Sequence, residues 1–437
     1  MNELDASEPK AERKWSSLYR SEDWWAVWLG FALLGLSVVN LLSWIPRIGK
    51  WDIDVLSSIG VSSIPYLAVL ALFLLLISSI PIIAAKNGLK GYVLGFPLIF
   101  ALSFTAMLIA SQSYVNYLGL EYVLWALLLG IFVSNVTGLP ERFKASIKTE
   151  LFIKIGLVLL GAEILFNTLL SAGAFGLFEI TVGLFIVWYF CYYLAVKLGL
   201  SKSFACVMAS ATSICGVSAA IAAGGAVKGD PKEVSYTISL VLLFSIPLLV
   251  LMPSVSKIIG IPDAVAGAWI GGTIDTTPAV VAAGALYSDK AMKIASIIKM
   301  SQNALIGITA FALAVYWTLR VEKNQDEKPK PIEIWYRFPK FVVGFIVASA
   351  ISSFLLAPIL GSIATNLIIN QTKNIRSWFF AMAFVCIGLN TNFKDLLKIG
   401  HGRPLLVFTA ATLLDVAVSL LSSYVFFGGV IFPPPPI

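Results

Sequence analysis

The sequence predicts an all-α polytopic membrane protein of about thirteen transmembrane segments, with inverted-topology repeats and discontinuous helices. Three observations carry that expectation. Hydrophobic residues make up 58% of the 437 and charged residues only 13%, where a soluble domain carries about a quarter charged. The apolar residues fall in continuous runs of about 20, enough to cross a bilayer as a helix and too long for barrel strands. Two short stretches in mid-chain place Gly, Ser, Thr and one carboxylate where a spanning helix would be purely apolar.

In chain order the first seven runs are Trp24–Ile45, Ile64–Ala85, Gly91–Ser111, Glu121–Gly138, Leu151–Leu170, Leu177–Val196 and Phe204–Val227. The other six are Val234–Pro253, Ala264–Leu286, Ala291–Leu319, Phe341–Ala357, Trp378–Asn392 and Pro404–Phe427. The stretch Ile359–Lys373 reads as lying along the membrane surface. Residues 1–23 are polar with both signs of charge, a cytoplasmic N-terminal segment and not a cleaved signal peptide. Residues 24–427 form a single transmembrane domain with a charged cytoplasmic linker at 320–340, and residues 428–437 form a short external tail. If every run crosses, loops on the N-terminal side hold 21 Lys and Arg and the opposite loops hold 8. The positive-inside bias then puts the N-terminus in the cytoplasm and the C-terminus outside. The positive charge is scattered over short loops, which argues against a nucleic-acid partner.

The first interrupted stretch is A-T-S-I-C-G-V-S-A-A-I-A-A-G, Ala211–Gly224, and the second is G-G-T-I-D-T-T-P-A-V-V-A-A-G, Gly271–Gly284. Shifted by 60 positions they align, Ser213 on Thr273, Ile214 on Ile274 and Gly224 on Gly284. Backbone groups freed at bilayer depth must line a protein-buried or wet cavity, and paired broken segments point to a transporter's binding site. The two copies are parallel if all runs cross; with one re-entrant segment they become antiparallel and face one another. A second self-similarity pairs Gly161–Gly173 with Gly388–Gly400, and the segments ending at Asn135 and Asn366. Its copies lie seven runs apart and so have opposite orientation, the mark of an inverted repeat; chance likeness between segments rich in Gly and Leu is the alternative.

Asp275 is the strongest single candidate. A charge at the bilayer centre costs roughly 2.5–3.5 kcal/mol or more, so it is usually functional and faces the protein interior. Thr273, Thr276 and Thr277 add hydroxyl oxygens and Pro278 frees a carbonyl, together a site for a hard cation or a proton. The plainer alternative is an Asp capping the half-helix that begins at Pro278. Ser213, Cys215, Gly216 and Ser218 form the companion break, where a half-helix would point N–H groups at a bound anion. Close packing through small residues is the alternative there.

Lys299, Gln302 and Asn303 share one helix face. The cation with two amides would hold an anion or neutralise Asp275, unless Lys299 snorkels to the interface. Glu163 sits among apolar residues as a coupling carboxylate or a buried hydrogen-bonded Glu, and Asp415 ranks lower. The expected substrate contacts are therefore Ser213, Cys215, Gly216, Ser218, Thr276, Thr277 and Lys299. The expected ion-coupling residues are Asp275, Thr273, Gln302, Asn303 and Glu163.

His401 is the single histidine, in a cytoplasmic loop, and Cys191, Cys206, Cys215 and Cys386 are dispersed through apolar runs without a CxxC. A catalytic triad, a zinc site and a disulfide framework all lack their residues, and no phosphate loop of an ATP-driven pump occurs. No enzyme is expected, and no cofactor or resident metal beyond a coupling Na⁺.

Four segments carry a family resemblance: I-K-I-G-L-V-L-L-G (Ile153–Gly161), S-I-C-G-V-S-A (Ser213–Ala219), E-V-S-Y-T-I (Glu233–Ile238) and G-A-W-I-G-G-T-I-D-T-T-P-A-V-V-A-A-G (Gly267–Gly284). They resemble the sulfate exporter family, bacterial and archaeal inner-membrane proteins of the bile acid, arsenite and riboflavin transporter superfamily. The resemblance covers about Trp125 to Asn392 and implies a secondary transporter with inverted repeats and crossed, broken helices. Two positions depart from it. Asp275 and Thr276 stand where many members carry His-Glu, and Glu163 where many carry Arg, which weakens sulfate and favours cation coupling. The expectation is a multi-pass inner-membrane secondary transporter of a small inorganic or organic anion, coupled to Na⁺ or H⁺, with a homo-oligomer in view. A passive anion channel or an uncoupled exporter is the alternative.

Overall fold

Backbone groups in a bilayer core have no water to bond, so apolar runs satisfy them internally as helices. The computed structural model describes residues 21–60, 63–85, 88–117, 120–138, 140–321, 330–392 and 402–429. Expectations that fall on residues 1–20, on 322–329 of the linker, on 393–401 with His401 and the end of the longer repeat, and on 430–437 lie outside the described residues. Among the described residues no strand occurs, only an isolated bridge between Trp51 and Gln112. Among the described residues seven helical stretches are long and apolar enough to cross a membrane by length and composition. With the shorter helices beside them, this is an all-α polytopic membrane protein.

The chain divides into two compact units, residues 1–165 with 340–391 and residues 166–339 with 392–437. The first holds α1 (Glu22–Val38), α2 (Ile64–Ala84), α3 (Leu89–Ala110), α4 (Tyr122–Phe132) and α5 (Thr149–Ala162). The second holds α6 (Phe166–Lys197), α7 (Lys202–Ser213), α8 (Val217–Ala226), α9 (Pro231–Ile259), α10 (Asp263–Thr273), α11 (Thr277–Tyr287) and α12 (Asp289–Tyr316). The chain returns to the first unit with α13 (Lys340–Ala350) and α14 (Ala357–Asn390), then adds α15 (Arg403–Phe427) to the second.

In the first unit α5 is buried on nearly all sides, packed against α1, α13 and α14. Lys154 ties its start to α1 through Asp23 at 2.9 Å and Glu22 at 3.4 Å. Asn135 donates to the Thr391 carbonyl at 2.7 Å, joining the segment after α4 to the end of α14. Two boundaries differ from the sequence reading. The fifth run ends at Ala162 and α6 begins at Phe166, whereas a gap between Leu170 and Leu177 was expected. The glycines and alanines of 171–176 continue the helix, and the break falls where the Ile164 carbonyl takes a hydrogen bond from Ser349 at 2.6 Å. Ile359–Lys373, expected along the membrane surface, belongs to α14, which kinks at Gly361 (φ 75°) and then runs on to Asn390. Its polar residues lower the hydropathy without ending the helix, because Gln371 and Asn374 find partners in Asn40 and the Ile45 carbonyl.

In the second unit both broken runs fold back as helical hairpins. After α7 and α8 the chain returns to its starting end, so that Gly229 lies against Val207. After α10 and α11 the Tyr287 hydroxyl donates to the Ile261 carbonyl, and Ser288 donates to the Asp263 carboxylate at 2.6 Å. Between the two hairpin bases runs α9, 29 residues, about 43 Å at 1.5 Å per residue. Each hairpin arm of 10 to 12 residues reaches about 15–18 Å. The two tips therefore come from opposite ends of α9 and meet between them.

Candidate functional site

Local sequence explains the hairpin tips. α7 ends at Ser213, and Ile214 (φ −123°, ψ −93°) and Gly216 (φ 62°, ψ −107°) turn the chain into α8. The left-handed φ favours glycine, and a Cβ on Gly216 would stand 2.6 Å from Val241 and 3.0 Å from the Cβ of Asp275. At the second tip α10 ends at Thr273, and extended Ile274 and Thr276 lead into α11, whose second residue is Pro278. A proline there loses no hydrogen bond, because the first N–H groups of a helix have no partner within it. Gly216 and Asp275 thus bring the two breaks into contact.

Lys299 of α12 joins them. Its side chain is fully buried, and its ammonium donates to the Ile214 carbonyl at 3.1 Å, the Ile274 carbonyl at 2.8 Å and Gln302 Oε1 at 2.6 Å. Ile214 and Ile274 are the positions that the 60-residue alignment superposes. Gln302 repeats the pattern, its amide donating to the Ser213 carbonyl at 3.4 Å and the Gly272 carbonyl at 3.3 Å. Carbonyls stranded by helix ends are costly when buried without a donor, and one face of α12 supplies donors to both breaks. Lys299 does not snorkel. Its three hydrogens are all engaged, so it acts on a neighbouring solute through its charge.

Asp275 is 4% exposed, lies within electrostatic range of Lys299, and accepts no hydrogen bond from a described residue. It is not the cap of α11: that position belongs to Thr276, which makes no side-chain cap bond. Two further oxygens at the site lack a donor. Thr273 Oγ1 and Asn303 Oδ1 are buried with no hydrogen-bond partner, while Asn303 Nδ2 donates to Thr277 Oγ1 at 3.2 Å. Ser218 is exposed, Thr276 and Thr277 are half-buried, and Cys215 and Gly216 are buried at the first tip. Ser213 spends its hydroxyl proton on the Ala209 carbonyl at 2.7 Å.

The structure brings Ser213, Cys215, Gly216, Thr273, Asp275, Thr276, Thr277, Lys299, Gln302 and Asn303 to one locus, with Ser218 on the first turn of α8. Glu163 belongs to the first unit, where Arg376 of α14 grips it through two bonds, Nε to Oε1 at 2.6 Å and Nη2 to Oε2 at 3.2 Å. Both side chains are 2% exposed, and the guanidinium lies over the Phe380 ring at 5.1 Å. Sequence reasoning missed Arg376. It also missed Glu179 of α6 and ranked Asp415 low, although both are buried in the second unit. Glu179 carries the signal that singled out Asp275, a lone carboxylate in an apolar run. Among the described residues no three His, Cys, Asp or Glu side chains gather as a metal site.

The chain matches the family model described as conserved hypothetical protein 698 over residues 94–408. It is 40% identical over 391 residues to a UPF0324 membrane protein of Rhodopirellula baltica, covering 87% of this chain and 71% of that protein. A UPF0324 membrane protein of Nitratidesulfovibrio vulgaris is 38% identical over 351 residues, and there the alignment covers 78% of this chain but only 60% of the relative. One from Nitrosomonas europaea is 29% identical over 462 residues, covering 91% of this chain and 94% of its own length. No solved structure matches the chain.

Proposed function

The chain belongs to the conserved hypothetical protein 698 family, and we propose that it is a secondary transporter of a small anion. The observation that carries this reading is the meeting of two hairpin tips at one buried ammonium and one buried carboxylate, Lys299 and Asp275. α8 and α11 both begin at the tips, and neither Gly216 nor Thr276 caps them with a side chain. Each N-terminus then presents free N–H groups and about half a positive charge. An anion held there would meet Ser218, Thr276 and Thr277, with Cys215 and Gly216 beside it and Lys299 adding long-range attraction.

Asp275 opposes such an anion, and this supplies coupling. A Na⁺ or H⁺ taken up by Asp275, with oxygens of Thr273 and Asn303 nearby, removes the repulsion and strengthens anion binding. By linkage the anion strengthens cation binding by the same factor. Because carbonyls of both hairpins share Lys299, rearrangement at one tip is transmitted to the other, the requirement for alternating access. The hairpins also support the expected orientation. Re-entry of both places Lys228 and Lys232 on the N-terminal side and Lys257 on the other, which sharpens the basic bias toward a cytoplasmic N-terminus in an inner membrane.

A sulfate-like or small organic anion is the substrate class we assign. Purified protein in proteoliposomes, tested with a panel of labelled anions with and without an inward Na⁺ or H⁺ gradient, should concentrate at least one of them. Equilibration without accumulation under every gradient would replace the transporter by a passive pathway.

A further inference from the structure

Beside the two tips, the second unit contains a small cavity next to Gln302. Glu179 of α6 and Asp415 of α15, 2% and 6% exposed, line it together with Ser213, Gly272, Ser419 and Ser422. Its volume is about 10 Å³, close to that of one water-sized sphere. Glu179 Oε1 accepts from Ser423 at 2.5 Å, whereas Oε2 has no hydrogen-bond partner. No described residue donates a hydrogen bond to Asp415.

Ile180, Gly183 and Leu184 form an apolar part of the wall, and its polar part is made largely of acceptors. Ser213 gives its proton to Ala209 at 2.7 Å, and Ser422, beside Glu179, has the Val418 and Ser419 carbonyls within reach at 2.9 and 3.1 Å. Ser419 points its proton at the Trp269 carbonyl, 3.5 Å away. Gln302 has turned its amide to the Ser213 and Gly272 carbonyls. Hydroxyls committed in this way present lone pairs to the cavity. Charge points the same way. Asp415 lies within electrostatic range of two other acids, Asp275 and Glu179, and of one base, Lys299, and the hydrogens of that base are spent elsewhere. Two neighbouring carboxylates in a medium of low dielectric do not remain ionised without a counter-charge. A hard cation with oxygen ligands supplies it.

We infer that Glu179 and Asp415 bind one Na⁺ in the space enclosed by Ser213, Gly272, Ser419 and Ser422. Its use as a coupling ion rests on the transport reading; its existence as a binding site does not. Gly272 is part of the design, since a Cβ there would stand 2.6 Å from Ser419 Oγ and 3.7 Å from Glu179 Oε1, inside the space the ion needs.

The test uses the purified full chain carrying Asp275→Asn, which removes the cation site of the transport reading. Binding of ²²Na⁺ and melting temperature are measured in NaCl against choline chloride at equal ionic strength. Saturable ²²Na⁺ binding and a Na⁺-specific rise in melting temperature are expected in this background. Adding Glu179→Gln or Asp415→Asn should weaken the affinity about tenfold or more, because each removes one of two charged ligands. Gly272→Ala should do the same with every charge in place, by filling the cavity. If the carboxyl variants do not fold, Gly272→Ala and Ser422→Ala decide, and unchanged affinity in both overturns the inference. Equal behaviour in NaCl and choline chloride before any further substitution also overturns it, leaving a protonated pair. Failure of the unsubstituted chain to concentrate any anion, with ²²Na⁺ binding intact, would count against the transport reading alone.

Discussion

Replacing Lys299 by Met tests whether one side chain holds the two hairpin tips together. Met keeps most of the buried aliphatic volume and removes the charge and all three donors. Hydrogen bonds from a charged group contribute about 1.5–3 kcal/mol each, but the three share one ammonium and do not add. Leaving the buried Ile214 and Ile274 carbonyls without their donor costs about 1–3 kcal/mol each, and a total of about 3–5 kcal/mol sets the expected loss. For a unit of roughly 200 residues a loss of this size lowers the melting temperature by about 10 °C. The assay is thermal unfolding in detergent followed by tryptophan fluorescence. The double variant Lys299→Met/Asp275→Asn should recover part of the loss, since the stranded carboxylate is gone. It should not recover all of it, since the Ile214 and Ile274 carbonyls still lack a donor. A change under about 1 kcal/mol in Lys299→Met, below the cost of leaving even one buried carbonyl without a donor, would refute the bridge. Full recovery in the double variant would reduce Lys299 to a counter-ion of Asp275.

Two further outcomes follow from the geometry. In the first unit, Arg376→Met should cost about 3–5 kcal/mol by leaving Glu163 buried without its partner, and Arg376→Met/Glu163→Gln should regain most of it in the same melting assay. Equal destabilisation of the single and double variants would contradict the pairing. For topology, single cysteines at Lys202 and Lys228, in a protein freed of its four native cysteines, should react with an impermeant maleimide from one side of the membrane. Cysteines at Pro262 and Lys290 should react from the other. Labelling of Lys202 and Lys228 from opposite sides would mean that the first hairpin crosses.

The helical class was legible because apolar runs about 20 residues long leave little alternative. So was the pairing of the two broken stretches, since small and polar residues stand out against an apolar background. The re-entrant paths were not. They depend on contacts such as Tyr287 with Ile261 and Gly229 with Val207, which are formed only when the chain has turned back. Lys299 was visible as a buried cation, but its partners are carbonyls 85 and 25 positions away, and any residue type carries a carbonyl. Arg376 is separated from Glu163 by 213 positions, and polar neighbours in α14 made its surroundings look like a surface segment. Glu179 was legible in principle. It has Thr181 two positions on but lacks the run of threonines and the proline that drew attention to Asp275.

The most direct measurement of the central claim is gradient-driven anion uptake by Asp275→Asn in proteoliposomes, paired with its melting temperature. Asn keeps the shape of Asp and loses the charge that would take up Na⁺ or H⁺. Thr276 holds the cap position of α11, so no capping role has to be replaced. The account predicts a variant that inserts and folds, still binds the anion, and no longer concentrates it against a gradient. Accumulation with the wild-type dependence on the cation gradient would contradict it.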